Sequence, residues 1–243
     1  MTENLLLAGI AFLGALIFGI TGFGSALITI PLATHVVPLP FALALFAVAD
    51  LLSAVRVGLE NPRNAVRAEW TRLVPMIVVG TALGVTVLVS LPRVAGMALL
   101  GAFILSYAVF SLLRRGEPGK VSSRWAWLAG FAGGITSTLF GAGGPPYAIY
   151  LSMRGLTKEQ FRATMGFATM TSIGLRVAAF LLTGLLLDLD VWIAAAFVLP
   201  AVLLGLYVAG RIFSRMPREL LMRGVALLLV VSGASLLWRA ASM

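Results

Sequence analysis

Three ionisable residues, Asp50, Arg56 and Arg176, stand inside long apolar runs, and two glycine-rich breaks, Gly22-Phe23-Gly24-Ser25 and Gly141-Ala142-Gly143-Gly144, interrupt two others. A charge at the centre of a bilayer costs at least about 2.5 kcal/mol on insertion scales, so each of the three is a functional candidate by default. Arg176 lies well inside the run 161–187. Its guanidinium fork can grip a carboxylate or sulfonate with two hydrogen bonds. Arg56 lies nearer the end of its run, and the alternative there is a side chain that reaches out to the interface. Asp50 has two open readings. It either pairs with an arginine as a structural bridge or exchanges a proton, because a carboxyl buried away from other charges favours its neutral form. Asp50 and Arg56 are six residues apart and fall on different helix faces, so they are not expected to pair.

The breaks suggest a second kind of chemistry. Glycine costs about 1 kcal/mol in a helix interior and proline about 3, so Gly141-Ala142-Gly143-Gly144-Pro145-Pro146 ends a helix by composition alone. Pro145 and Pro146 suit the first turn of the next helix. A break at membrane depth bares N–H groups that lipid cannot satisfy, so they must face protein or a wet cavity. Bare N–H groups at a helix start carry positive partial charge and attract anions, and glycine lets a ligand approach the backbone closely. Two such starts meeting would make an anion site without lysine, formed by Gly22, Phe23, Gly24, Ser25, Gly141, Ala142, Gly143 and Gly144. The alternative is that the glycines serve close helix packing only. A nucleotide-type phosphate loop is poorly matched, since no Gly-Lys-Ser/Thr ending follows either break. Hydroxyls near the breaks belong to Ser25, Thr136, Ser137, Thr138, Thr169, Thr171 and Ser172, and most such groups are expected to bond their own helix backbone. His35, the one histidine, stands beside Pro38-Leu39-Pro40 and reads as interfacial, with a proton role as its alternative.

The elements that position these residues are membrane helices. Of 243 residues, 60% are hydrophobic and 11% charged, against about a quarter charged in a soluble domain. Apolar runs at 5–20, 41–59, 73–91, 97–113, 125–140, 161–187, 191–213 and 220–238 cover most of the chain. Most approach the roughly 20 residues that cross a bilayer. No second compositional regime breaks the sequence, so a single membrane domain over 1–243 is expected. Met1-Thr2-Glu3-Asn4 lacks the positive charge of a secretory signal, so the first apolar segment is expected to be retained. The net charge of +9 is spread over short loops without a long basic face, which speaks against nucleic acid. With no cysteine, the chain has no disulfide, thiolate metal site or redox pair.

The chain also repeats itself. Gly22-Phe23-Gly24-Ser25 with Ile30 and Leu32 returns 119 positions on as Gly141-Ala142-Gly143-Gly144 with Ile149 and Leu151. Arg56-Val57 returns as Arg176-Val177, and Pro75, Gly80, Pro92, Arg93 and Met97 return as Pro200, Gly205, Pro217, Arg218 and Met222. Repeat one is read as 5–113, a cytoplasmic linker as 114–124 and repeat two as 125–239. Of the 18 Lys and Arg, 14 fall in four groups, Arg63/Arg67/Arg72, Arg114/Arg115/Lys120/Arg124, Arg154/Lys158/Arg162 and Arg211/Arg215/Arg218/Arg223. The positive-inside rule puts all four in the cytoplasm. Segment 125–153 lies between two of them, so it must enter and return, and segment 5–38 is expected to match it from the opposite face. The predicted fold is an all-α polytopic membrane protein with two inverted repeats, each a broken re-entrant helical hairpin plus three transmembrane helices. The rival is eight plain crossings with parallel halves. Inverted repeats with broken helices are a transporter architecture with a midplane site.

Gly22-Phe23-Gly24-Ser25-Ala26-Leu27-Ile28-Thr29-Ile30-Pro31-Leu32 and Gly141-Ala142-Gly143-Gly144-Pro145-Pro146 with Tyr150-Leu151 resemble the paired motifs of the sulfite exporter (TauE/SafE) family. The resemblance covers nearly the whole chain, including its duplication and polar mid-linker. It implies export or passage of sulfite, sulfonates and related organic anions across a bacterial cytoplasmic membrane. Phe23 and Ser25 stand where the commonest first motif has further glycines, which would narrow the pocket or add a hydroxyl donor.

The function expected from these readings is secondary transport. The expected substrate is a small anion held by the breaks and neutralised by Arg176 and Arg56, with Asp50 as the coupling group. No ATP-binding motif is present, so a gradient would drive it. No catalytic residue, metal or cofactor is expected, and a homodimer is one candidate assembly. A membrane enzyme and a partner subunit without transport are the rival classes. The lone histidine, absent cysteines and missing carboxylate cluster weaken the first.

Overall fold

The computed structural model describes residues 2–90, 92–113 and 121–213, and near the C-terminus 230, 234, 237 and 238. Nine α-helices run through the main described stretch: α1 Thr2–Thr21, α2 Ala26–Ala33, α3 Leu39–Gly58, α4 Arg67–Ser90, α5 Arg93–Leu113, α6 Trp125–Phe140, α7 Gly144–Ser152, α8 Lys158–Leu182 and α9 Leu189–Phe213. The described residues contain no strand. The linker at 114–120 and almost all of the expected last crossing at 220–238 lie outside the described residues, as do Arg215, Arg218 and Arg223.

Among the described residues, five helices are long and apolar enough to cross a membrane: Glu3–Thr21, Leu39–Gly58, Arg67–Leu88, Lys158–Leu182 and Leu189–Arg211. Their outward faces are apolar as well. Leu5, Leu13, Val79, Leu83, Phe197 and Leu204 are exposed, and Leu182 is 89% exposed. Surfaces of this kind belong in lipid, since a water-facing surface would not carry so much contiguous apolar area. The protein is a multi-pass membrane protein.

Both glycine breaks reverse the chain. A Cβ on Gly14 would collide with Thr29, so α2 folds back along α1. A Cβ on Gly133 would collide with Tyr147, so α7 folds back along α6. The limbs are unequal. At about 1.5 Å per residue, α1 extends about 30 Å while α2 returns only about 12 Å. The first limb is therefore as long as a full crossing. Gly9, Gly14 and Gly19 do not interrupt it; the helix stops where Gly22 takes φ 80°.

The helices pack reciprocally. α1 lies against α9 and α6 against α4, while α3 lies against α8. Small residues set the first two contacts. A Cβ on Gly205 would stand 2.6 Å from the Phe12 carbonyl oxygen, and one on Gly130 2.6 Å from the Leu73 carbonyl oxygen. Such glycines let backbones touch, which is how membrane helices gain packing without a hydrophobic driving force. α3 and α8 run antiparallel: Gly58 meets Gly166 at one end and Asp50 meets Arg176 further along. Beyond the helix core, Trp70 Nε1 donates to Thr171 Oγ1 at 3.0 Å and the Val66 amide to Thr164 Oγ1 at 2.9 Å, fixing α4 to α8.

Gly134 tests this packing. A Cβ there would stand 2.5 Å from the Ile77 carbonyl oxygen and 2.9 Å from the Thr81 amide. Gly134→Leu is expected to cost at least about 1–3 kcal/mol, read as a lowered melting temperature in detergent. Gly9→Leu, whose Cβ meets nothing within 4 Å, should leave that temperature unchanged. Equal behaviour of the two variants would refute the close-packing account.

Candidate functional site

The two breaks meet. A Cβ on Gly144 would come within 2.6 Å of Phe23 Cβ, and one on Gly141 within 2.8 Å of Ala26 Cβ. Gly22, Gly24 and Gly141 all have positive φ, at 80°, 90° and 72°, a region that costs other residues dearly. Gly141 closes α6 as its left-handed cap: its amide donates to the Ser137 carbonyl at 2.9 Å, and the Ala142 amide reaches back to the Thr136 carbonyl at 3.1 Å. The Gly141 bond is that of an αL cap. The amides of Gly141 and Ala142 are therefore consumed in capping, as is that of Gly22, which donates to the Phe18 carbonyl at 2.7 Å. Ala142 is buried and does not line the cavity described below.

Other break amides are unclaimed. Those of Gly24, Ser25, Gly143 and Gly144 have no hydrogen-bond partner among the described residues. Neither α2 nor α7 has a side chain capping its start. Pro145 and Pro146 carry no N–H, so α7 offers fewer donors than an ordinary helix start. Four free amides thus stand at two helix beginnings.

These residues border a small cavity of about 20 Å³, room for little more than a water molecule, lined by residues that include Phe18, Phe23, Ser25, Asp50, Ser137 and Tyr147. Gly24, Gly141, Gly143 and Gly144 line it from the breaks, and Thr169, Ser172 and Ile173 from α8. The hydroxyls near the breaks divide in two. Thr136, Thr138, Thr169 and Thr171 bond carbonyls of their own helices, as the sequence suggests. The serines do not. Ser25 Oγ donates to Asp50 Oδ1 at 2.6 Å, Ser172 Oγ accepts from the Tyr147 hydroxyl at 3.0 Å, and Ser137 Oγ is buried without a partner among the described residues. All three line the cavity.

Asp50 and Arg176 form a buried ion pair across α3 and α8. Arg176 Nη2 donates to Asp50 Oδ2 at 2.9 Å and Nη1 to the Ser137 carbonyl at 3.0 Å. Both residues are at most 3% exposed. The bridge reading of Asp50 describes this geometry, with its partner in the opposite half of the chain. The guanidinium stands behind the cavity wall: a Cβ on Gly141 would be 2.8 Å from Nη1. Arg56 is exposed in the last turn of α3 and His35 is exposed beyond α2, and neither lines the cavity.

Two residues of weight were not singled out from sequence. Tyr147 is fully buried and closes one side of the cavity. Its aromatic ring directly after Pro145-Pro146 was the available signal. Glu69 is buried near the start of α4 and gathers Arg72 at 3.0 Å, Arg154 at 2.9 Å and the Tyr150 hydroxyl. Arg154 also donates to the Val121 carbonyl at 2.5 Å. This cluster ties the returning limb α7 to α4. An acid three residues before Arg72 at the mouth of an apolar helix was the sequence clue. On the same side, Arg162 joins Glu60 at 2.8 Å and the Gly19 carbonyl at 3.3 Å.

The family described as Sulfite exporter TauE/SafE matches residues 7–236, spanning both breaks and the buried pair. The chain belongs to this family. TauE/SafE membership makes it a membrane transport protein of the anion and sulfite class. No curated protein and no solved structure matches the chain. Within the TauE/SafE frame, Phe23 and Ser25 have definite places here: the Phe23 side chain packs on Gly144, and the Ser25 hydroxyl is held by Asp50.

Removing one member of a buried pair leaves the other uncompensated and costs about 3–5 kcal/mol, whereas an apolar replacement of both is far milder. Asp50→Ala and Arg176→Ala are each expected to lower the melting temperature markedly. The double variant Asp50→Leu/Arg176→Leu should recover most of the loss. A double variant at least as unstable as the sum of the singles would contradict the pairing.

Proposed function

We propose that this protein is a secondary transporter that moves small organic or sulfur-containing anions, such as sulfite, sulfonates and carboxylates, outward across a bacterial cytoplasmic membrane. The observation that carries the reading is that four residues with unpartnered amides, Gly24, Ser25, Gly143 and Gly144, line one cavity. Amides at helix starts suit negative charge, and neutral donors bind an anion without holding it too tightly to release. Ser137 Oγ adds a further unpaired group. Arg176 supplies the positive charge behind the amides.

The two halves are inverted in this reading. The antiparallel course of α3 and α8 and the reciprocal contacts of α1 with α9 and α6 with α4 support that relation. Each half then contributes one broken hairpin to a shared site, and rocking one half against the other exposes it to alternate sides. Arg154, Lys158 and Arg162 face the cytoplasm and Asp188 and Asp190 the outside, by the distribution of positive charge.

Two experiments test this. The natural absence of cysteine lets single cysteines be read without background. Glu159→Cys should react with a membrane-impermeant maleimide only from the cytoplasmic side and Asp190→Cys only from the outer side; the same side for both would end the inverted arrangement. In proteoliposomes, sulfite, sulfonates and carboxylates should be tried as fluxed anions. Arg176→Lys, which keeps the charge but loses the fork, should reduce that flux at least about tenfold while eluting as a folded species. Flux unchanged by that substitution would remove Arg176 from the site.

A further inference from the structure

Asp50 and Arg176 cancel each other at the edge of the cavity, and this has a consequence for anything negative that enters. The other residues lining the cavity carry no formal charge. Both outer nitrogens of the guanidinium are already engaged, by Asp50 and by the Ser137 carbonyl, while its Nε is buried without a partner. Asp50, not Arg176, is the member of the pair that lines the cavity. With the carboxylate ionised, an arriving anion therefore meets a like charge first and a neutral pair overall. Two anions sharing one cation favour a bound proton.

We propose that the pair is a proton-operated charge switch, so that each monovalent anion travels with one proton in an electroneutral symport, with outward flux driven by the anion's own gradient. This rests on the reading of the cavity as an anion site. In the empty state Asp50 is a carboxylate and Arg176 a guanidinium, with zero net charge. On loading, the Asp50 carboxylate takes one proton from solution and becomes a neutral carboxyl. Arg176 keeps its proton and its charge, and Nη2 turns from Oδ2 to the anion. The loaded site again has zero net charge. Ser25 links the switch to the first break. It occupies the cap position of α2 but gives its hydroxyl to Asp50 at 2.6 Å. Neutralising Asp50 weakens that charge-assisted bond and frees the hydroxyl for the anion beside the Gly24 and Ser25 amides.

The surroundings leave the titration to this pair. Helices α1, α2, α8 and α9 pack on α3. The described parts of α1 and α2 that reach the level of the break contain no titratable side chain, and α9 has none with an acidic or basic charge between Asp190 and Arg211. α8 presents Arg176. Across the cavity, Tyr147 from α7 has its hydroxyl committed to Ser172. His35 is exposed beyond the end of α2, outside the cavity.

Binding and protonation are then reciprocal. The test uses ethanesulfonate, a strong-acid anion that carries no proton of its own, with sulfite as a second probe. In proteoliposomes holding a trapped pH dye, an inward ethanesulfonate gradient should acidify the lumen by one proton per anion, and an imposed membrane potential should not change the uptake. Ethanesulfonate affinity should weaken towards about tenfold per pH unit above the titration of Asp50. In Asp50→Asn, acidification should vanish and affinity should vary less than about twofold between about pH 6 and about pH 8. Flux of ethanesulfonate without acidification, or with a full negative charge moved per anion, overturns the switch while leaving the anion site standing. If Asp50→Asn does not fold, the proton count of the unaltered protein decides alone. Failure of both ethanesulfonate and sulfite to bind overturns the anion site itself, and the switch with it.

Discussion

The bond from Arg176 to Asp50 joins the two halves of the chain at the one place where neither could stand alone. Each charge, buried to within 3% of full coverage, would be costly by itself in a membrane interior. Together they compensate each other's charge, with Ser25 on one carboxylate oxygen and the Ser137 carbonyl on the guanidinium, while the Arg176 Nε stays without a partner among the described residues. The pair also holds the breaks in place. Ser25 belongs to the first break, Ser137 to the helix that ends at the second, and both are tied to this pair. Loss of the ion pair therefore loosens both helix starts as well as the contact of α3 with α8.

Glycine does two separate jobs around it. At Gly22, Gly24 and Gly141 the backbone needs a positive φ. At Gly143 and Gly144 the angle is ordinary for Gly143 at −71° and the need is for space: a Cβ on Gly143 would stand 2.8 Å from the Gly133 carbonyl oxygen, and one on Gly144 against Phe23. Close packing and unpartnered amides thus coincide at Gly143 and Gly144, while positive φ falls on the other glycines of the motifs. The amides used for capping at Gly141 and Ala142 form the frame on which the free amides of Gly143 and Gly144 are displayed.

The charged cluster around Glu69 has no counterpart among the described residues near α2, where Pro31 and His35 stand at the positions matching Tyr150 and Arg154. One hairpin is stapled by ion pairs to its neighbouring helix and the other is held by apolar packing of Ile28, Ile30 and Ala33. The halves share a plan but differ in how firmly each returning limb is fastened.

Much of this was legible in the residues themselves. Apolar runs of bilayer length, the paired glycine breaks and the prolines after the second one determine helices, stops and the reversal of the chain, because helix termination is a local matter of φ and missing N–H groups. A charge inside an apolar run announces its own importance for the same local reason, and Asp50 and Arg176 were visible as candidates. Which charge meets which was not. Asp50 and Arg176 are 126 residues apart in the chain, and their contact exists only because α3 and α8 cross antiparallel. The same holds for the separation of Arg176 from its repeat mate Arg56, one buried and one exposed, and for the gathering of Tyr150 and Arg154 on Glu69. Periodicity and composition act along the chain and specify what each segment becomes. The approach of two helices depends on where small residues let backbones touch, a property of pairs of surfaces that no single segment contains.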